Sequence, residues 1–350
     1  MTLYEIEEIT VPDTIDALNA GPFIEMCAIK NTLEEEGYGT DELSFLPGEI
    51  LPNWKKSDSP IRGFGVRIDG ALVARAVYTI NVDDATGTVW VGGGVLQQYR
   101  RHGIGTALYE HVENLAIAEG KSKLLIYTVS RDNDGERLFS PTGFGSVPLD
   151  NPEVKFLLDN GFTLEQVERG SRLALPVDLD DRVAALTPDG YRVHQWVGRV
   201  PEPWLADVAH LYTRMSTDAP SAGLEEPEDV WNADRLRADD DRLADSPRTQ
   251  FTSVVEHVES GTLVGFTILS APAELHRPIA QEDTLVLSEH RGHALGMLLK
   301  VANLVFVQRE RPGHPGVITF NAEENRHMLN VNEAVGFVPM GYEGGWKKLL

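Results

Sequence analysis

Only one cysteine, Cys27, occurs in 350 residues, which excludes an intrachain disulfide framework and any zinc site built on several cysteines. A small buried place in a core is the expected use of so isolated a thiol. Basic residues are also scarce: 31 lysines and arginines stand against 54 aspartates and glutamates, a formal net charge of −23. That balance opposes polyanions, so neither nucleic acid nor an anionic membrane is an expected partner. Long apolar runs are missing too. The longest, "LLKVANLVFV" near Leu298, is too short to cross a bilayer and carries Lys300. The opening "MTLYEIEEIT" has no signal-peptide pattern, and a cytoplasmic location is the expectation. The histidines show no metal-like spacing, so no metal is expected.

What is present is the composition of a globular chain, 42% hydrophobic and 24% charged, at a length that exceeds one growing core. Two domains are expected, and the order of signals supports a repeat. "LYEIEEITVP" reads as a strand and "TIDALNAGPFIEMCAIKNTLEEEG" as helices broken at Gly21-Pro22 and stopped at Gly37. "GFGVRIDGALVARAVYTINV" predicts a hairpin turning at Asp69-Gly70, a dipeptide that accepts positive φ. The strand "TGTVWVGGGVL" leads into a helix ending near Glu119, followed by the strand "KLLIYTV". The helix "NPEVKFLLDNGF" and the strand "TLEQVERGSRLALP" close the half, with Asn133 to Asp150 as an insertion able to act as a lid.

The same order then recurs. "YRVHQWVG" is a strand, "PEPWLADVAHLYTRM" a helix, "TSVVEHVESGTLVGFTIL" a hairpin turning at Ser260-Gly261, and "EDTLVLSEHRGHALGMLLKVANLVFV" a strand running into a helix. "GVITFNA" and "NRHMLNVNEAVGF" follow as strand and helix. The expected division is residues 1–178, a linker at 179–190 and residues 191–350. Acid concentrates in "LEEPEDVWNADRLRADDDRLAD", Leu224 to Asp245, read as a solvated helical face. Trp54, Trp90, Trp204 and Trp231 are candidates either for core packing or for lining an acceptor pocket.

The repeat is sharpest at two strand-to-helix junctions, where "VLQQYRRHGIGTAL" aligns without a gap on "VLSEHRGHALGMLL". A helix start offers unpaired N–H groups and the positive end of the helix dipole, and glycine lets an anion approach them. Arg100, Arg101, His102, Gly103, Ile104, Gly105 and Thr106 form such a cradle, with basic side chains adding charge-assisted contacts. Arg291, Gly292, His293, Ala294, Leu295 and Gly296 form its echo, with alanine in place of one glycine. Neither loop matches G-x-G-x-x-G or G-x-x-x-x-G-K-[ST], so dinucleotide and P-loop sites are not indicated.

The first junction resembles motif A of the GNAT superfamily of acyl-CoA-dependent N-acyltransferases, [QR]-x-x-G-x-[GA], with Arg100, Gly103 and Gly105 at its fixed positions. "NRHMLNVNEAVGF" resembles the family's later motif, through Asn325, Gly336 and Phe337. Tandem duplication is similar to its two-domain members, mycothiol synthase among them. The resemblance implies an α+β fold of two tandem domains, each a mixed, mostly antiparallel sheet flanked by helices. Acetyl-CoA, or another short acyl-CoA, would lie in a V between splayed strands. Those strands end near Val95-Leu96 and in "KLLIYTV" in the first half, and near Val286-Leu287 in the second. Asn325 and the two loops would complete the cofactor contacts, and a small amine would be the acceptor.

Amine attack on a thioester calls for proton removal. The first-half strand "TVWVGGGV" has no carboxylate. In the second half Glu282 and Asp283 stand at the start of "EDTLVL", and strand alternation predicts that only one of them faces the cleft. The family's thiolate-protonating tyrosine is replaced by Asn332 in the second half and by Leu157 in the first, leaving Tyr342 as a distant donor. A non-catalytic acyl-CoA-binding or regulatory protein is the alternative from another class. The acceptor's identity and the oligomeric state are left open.

Overall fold

A computed structural model describes residues 4–350, and the chain divides into two compact units. The first comprises residues 1–168, 221–227 and 341–350; the second comprises 169–220 and 228–340. The division differs from the expected one in two ways. Residues 179–190 are no linker, because Asp180–Leu186 form a helix whose Val183 and Leu186 pack on the core of the second unit. The last strand of the sequence belongs to the first unit, and hydrophobic periodicity carries no record of such an exchange.

Along the first unit run β1 (Ile6–Ile9), α1 (Gly21–Tyr38), α2 (Pro47–Trp54), β2 (Ile61–Ile68), β3 (Ala71–Thr79), β4 (Thr88–Val95) and α3 (Ile104–Ala118). Then come β5 (Lys123–Val129), the short hairpin β6 (Arg137–Phe139) and β7 (Ser146–Pro148), α4 (Pro152–Asp159) and β8 (Thr163–Ala174). The second unit adds α5 (Asp180–Leu186), β9 (Tyr191–Val197), α6 (Leu205–Asp218), α7 (Ala233–Leu243), β10 (Thr249–His257), β11 (Thr262–Ala271) and β12 (Ile279–Val286). It continues with α8 (Leu295–Glu310), β13 (Gly316–Ala322) and α9 (Arg326–Val335), and β14 (Val338–Leu349) follows.

Strand order in the first unit is β1-β2-β3-β4-β5-β14-β8, the last entering through Thr163–Glu168. The second unit repeats the plan as β8-β13-β12-β11-β10-β9, with β8 entering through Arg169–Ala174. Only β4–β5 and β12–β13 are parallel pairs among those whose register is resolved. This is the α+β, mostly antiparallel architecture expected.

Local chemistry explains the elements. Asp69 and Gly70, at φ 51° and 83°, make the tight β2–β3 turn. Pro22 opens α1 instead of breaking it, since a proline in the first turn sacrifices no helical hydrogen bond. Residues 13–19 before it are turn and bend, not helix. The helix ends at Gly39, whose φ of 73° suits a left-handed cap. Gly37, the expected stop, serves close packing: a Cβ there would lie 2.2 Å from Val129 Cγ1.

Each unit has its own core. In the first, Leu124, Val154 and Val167 close around Trp346 of β14, whose indole is fully buried and worth about 3 kcal/mol or more to the unit. Val147 is also buried there, which ties the 133–150 insertion down as packed structure. In the second, α8 is buried on nearly all sides from Leu295 to Val307. It encloses Lys300, whose ammonium burial drives down to a pKa of about 7. Cys27 lies buried in α1, its thiol pushed up to about 11 by the same effect. Among the described residues, no helix is long and apolar enough to cross a membrane.

Candidate functional site

Each parallel strand pair opens partway along. β4 and β5 are paired from Thr88↔Lys123 to Trp90↔Leu125, and β4 then runs on to Val95. β12 and β13 are paired only at Ile279↔Val317 and Ala280↔Ile318, and β12 runs on to Val286. The freed lengths carry backbone groups that a parallel neighbour no longer satisfies.

Past each open strand the loops fold alike. Arg100 and Arg291 are extended, at φ −70° and −69°. Left-handed residues follow at the same two places: Arg101 (φ 66°) and Gly103 (φ 85°) in the first loop, Gly292 (φ 88°) and Ala294 (φ 57°) in the second. The backbone thus repeats although glycine occupies a different place in each loop. Gly103 and Ala294 begin α3 and α8, and neither helix start receives a side-chain cap. By contrast, Asn232 caps α7 and Asn325 caps α9 by accepting from Arg235 N and Met328 N. The first N–H groups of α3 and α8 are therefore available to an anion.

The paired arginines do something the sequence did not reveal. Arg100 Nε donates to the Val95 carbonyl at 2.8 Å and its Nη2 pairs with Glu36 of α1. Arg291 Nε donates to the Val286 carbonyl at 3.2 Å and its Nη2 to Asp218 of α6 at 3.0 Å. Both fasten the strand end to the loop, leaving Arg101 as the exposed cation of the first cradle. Val95, Ile104 and Leu295 point into the cores, so their backbone alone faces the loop. Leu96 and Leu287 donate their N–H groups to Val73 and Val264. A Cβ at Gly105 would make only ordinary contact, 3.6 Å from Val95 Cγ2. His102 accepts at its carbonyl from Tyr4, while His290 and His293 lie against Tyr191 and His257 in an aromatic cluster beside the second loop.

Glu282 and Asp283 correct the alternation argument. Between Thr267↔Thr284 and Leu269↔Gln281 the ladder shifts, so both residues stand opposite Ile268 alone. Such a bulge re-aims side chains, and here both are exposed. Burial nonetheless raises both carboxyl pKa values, with Asp283 adding to the rise at Glu282. Access to solvent within dense surroundings describes a cleft. Tyr212 of α6 faces the same acids: after burial, Asp283, Asp240, Asp239 and Glu282 in turn push its phenol upward. Asp239 and Asp240 belong to α7, where Asp239 pairs with Arg242 and Asp240 accepts from Val200 N. Trp231 packs edge-on against Tyr212 at 5.2 Å, while Trp204 packs on the second-unit core and Trp54 on Phe23.

In the first unit the strand preceding the loop offers Gly92, Gly93 and Gly94, but β14 brings a carboxylate that contiguous reading assigned to the other half. Glu343 accepts from the Tyr38 phenol at 2.6 Å, and burial raises its pKa. Tyr342 packs against the first-unit core. Asn332 is buried and donates to Asn321 at 2.6 Å, and Leu157 is buried in the first core. Among the described residues, no group of three histidine, cysteine or carboxylate side chains could hold a metal ion.

Residues 26–144 match the model of the acetyltransferase (GNAT) family. Among solved structures, a tandem GNAT protein from the clavulanic acid biosynthesis pathway, without AcCoA, is 24% identical with a TM-score of 0.74, covering 99% of this chain and 98% of that one. A GCN5-related N-acetyltransferase from Sphaerobacter thermophilus is 15% identical with a TM-score of 0.62, over 98% and 95% of the two chains. A putative acetyltransferase from Pyrococcus horikoshii is 11% identical with a TM-score of 0.55, over 100% and 92%. No curated protein matches the sequence. Residues 26–144 are thus similar to a GNAT-family domain, and along its whole length the chain has the fold of the tandem GNAT protein.

Proposed function

We propose that the protein is a cytoplasmic N-acyltransferase that moves an acetyl or other short acyl group from acyl-CoA to a primary amine, with turnover in the second unit. The observation that carries this is the bulge at Glu282 and Asp283, two carboxylates on an opening strand that leads straight into the uncapped start of α8. The amides of Arg101–Thr106 and Gly292–Met297 would receive the pyrophosphate, and the freed edges of β4 and β12 the pantetheine chain. Glu282 or Asp283 would take the proton from the attacking amine. A carboxylate whose pKa is raised toward that of its proton donor is the better base, and burial supplies that rise.

Titration calorimetry with acetyl-CoA tests the reading. Two sites per chain are expected, falling to one in Gly103→Trp and in Ala294→Trp, with turnover lost only in the latter. Turnover lost only in Gly103→Trp would move the chemistry to the first unit. No binding to the whole protein would remove the enzyme. Tight binding without transfer to any amine of a broad panel would favour the regulatory reading, which the buried Asn332 and Leu157 at the expected acid positions also suit.

A further inference from the structure

We infer that the α1 face of the first unit binds the carboxylate of a small amino acid-like molecule, with Arg75 as its anchor. Arg75 lies on β3 opposite Gly94 of β4 and Gly65 of β2. A side chain at Gly94 would meet Leu33 of α1, so Arg75, its cross-strand partner, points beneath that helix. The charged neighbours agree: Cys27 and Glu34 of α1 act on the guanidinium. Burial pulls its pKa down. Among the described residues it makes no hydrogen bond or ion pair, and its Nε is shut off from water with no partner. Arg75 is half-buried, with its Nε shut off and the rest of the fork unpaired, and a carboxylate held by two parallel N–H···O bonds is the ligand its shape fits.

Space for such a ligand is next to it. Gly92 shares the face of Gly94, and nothing lies within 4 Å of where its side chain would stand. Trp90, on the same face of β4, stacks on Tyr127 at 5.6 Å, Glu343 accepts from Tyr38, and Glu34 of α1 pairs with Lys30 through Oε1 while its Oε2 is buried without a partner. Glu34 and Glu343 would repel a polyanion and attract an ammonium. A zwitterion with one carboxylate and one amine satisfies both ends. Binding at Arg75 does not require acyl transfer in either unit.

The test is thermal-shift and calorimetric titration of the full chain with the standard amino acids, β-alanine and γ-aminobutyrate, each compared with its carboxamide. At least one amino acid should bind, with its amide at least about tenfold weaker. Arg75→Met should lose that binding while keeping an equal or higher melting temperature, and Gly92→Val should lose it by filling the opening. Acetyl-CoA binding should persist in Arg75→Met, which separates this site from the cradles. Absence of binding by every amino acid, equal binding of the amides, or retained binding in either variant would overturn the inference.

Discussion

The Tyr38 phenol donates a 2.6 Å hydrogen bond to the Glu343 carboxylate, joining α1 to a strand 305 positions further along the sequence. Burial holds the Glu343 pKa above the ordinary carboxylate value of 4.5. A group whose pKa is higher in the folded state contributes stability below its unfolded pKa and loses it as pH rises through the folded one. Glu343→Gln removes that dependence. The variant should gain stability relative to the parent between pH 5 and pH 8, measured as the difference in urea midpoint at the two values.

The two carboxylates of the β12 bulge should be worth more together than either alone. Since they share the cleft, Glu282→Gln and Asp283→Asn singly allow the other to substitute, whereas the double variant should lower kcat by about 100-fold or more. Acetyl-CoA affinity should be unchanged. In the parent, the rate should climb with pH through a pKa above the usual carboxylate range, because the deprotonated form accepts the amine's proton. An unaltered pH profile in the double variant would place the base elsewhere.

Ala294 holds a left-handed conformation at φ 57°, where its Cβ is strained. Ala294→Gly should therefore stabilise the protein by about 1 kcal/mol and tighten acetyl-CoA binding at the second loop. Gly103→Ala is the mirror experiment. Nothing crowds its Cβ, so the cost, again about 1 kcal/mol, comes from φ alone. Thermal melts of both variants check the pair.

Adjacent glycines of β4 should behave oppositely. A Cβ at Gly93 would come within 2.2 Å of the Arg75 carbonyl oxygen, and φ there is 144°. Gly93→Ala should cost about 3 kcal/mol or more, since the clash is with backbone that cannot move aside cheaply. Gly92→Ala enters open space and should leave the denaturation midpoint nearly unchanged.

Periodicity and turn chemistry made much of this fold legible. The Asp69-Gly70 turn, α4 closing at Asn160-Gly161 and the gapless echo of the two junctions all rest on local residue preferences that the folded chain keeps. What stayed hidden was non-local. Alternation along "EDTLVL" gave no sign of the bulge that brings Glu282 and Asp283 together, because the shift is set by the partner strand. Nor did any spacing rule lead from Arg100 to the Val95 carbonyl, or carry Glu343 and Trp346 into the first unit. The acidic residues and proline of "DDRVAALTPDG" read as a linker, yet Val183 and Leu186 bury enough to hold a turn of helix in place.

The exchange of β14 sets an order on synthesis. A ribosome delivers the residues of the first unit up to Glu168 early, yet that unit lacks the strand bearing Trp346 until residues 341–350 emerge, after the second unit has been translated. Domains ordinarily fold as they appear, first to last. Here the earlier unit must wait, with the β5 edge that pairs with Glu343–Leu349 open, for the nascent chain to return to it. That interval is when β5 is most exposed to pairing with another copy, and a chaperone that shields unpaired strand edges would act on this protein during its own translation.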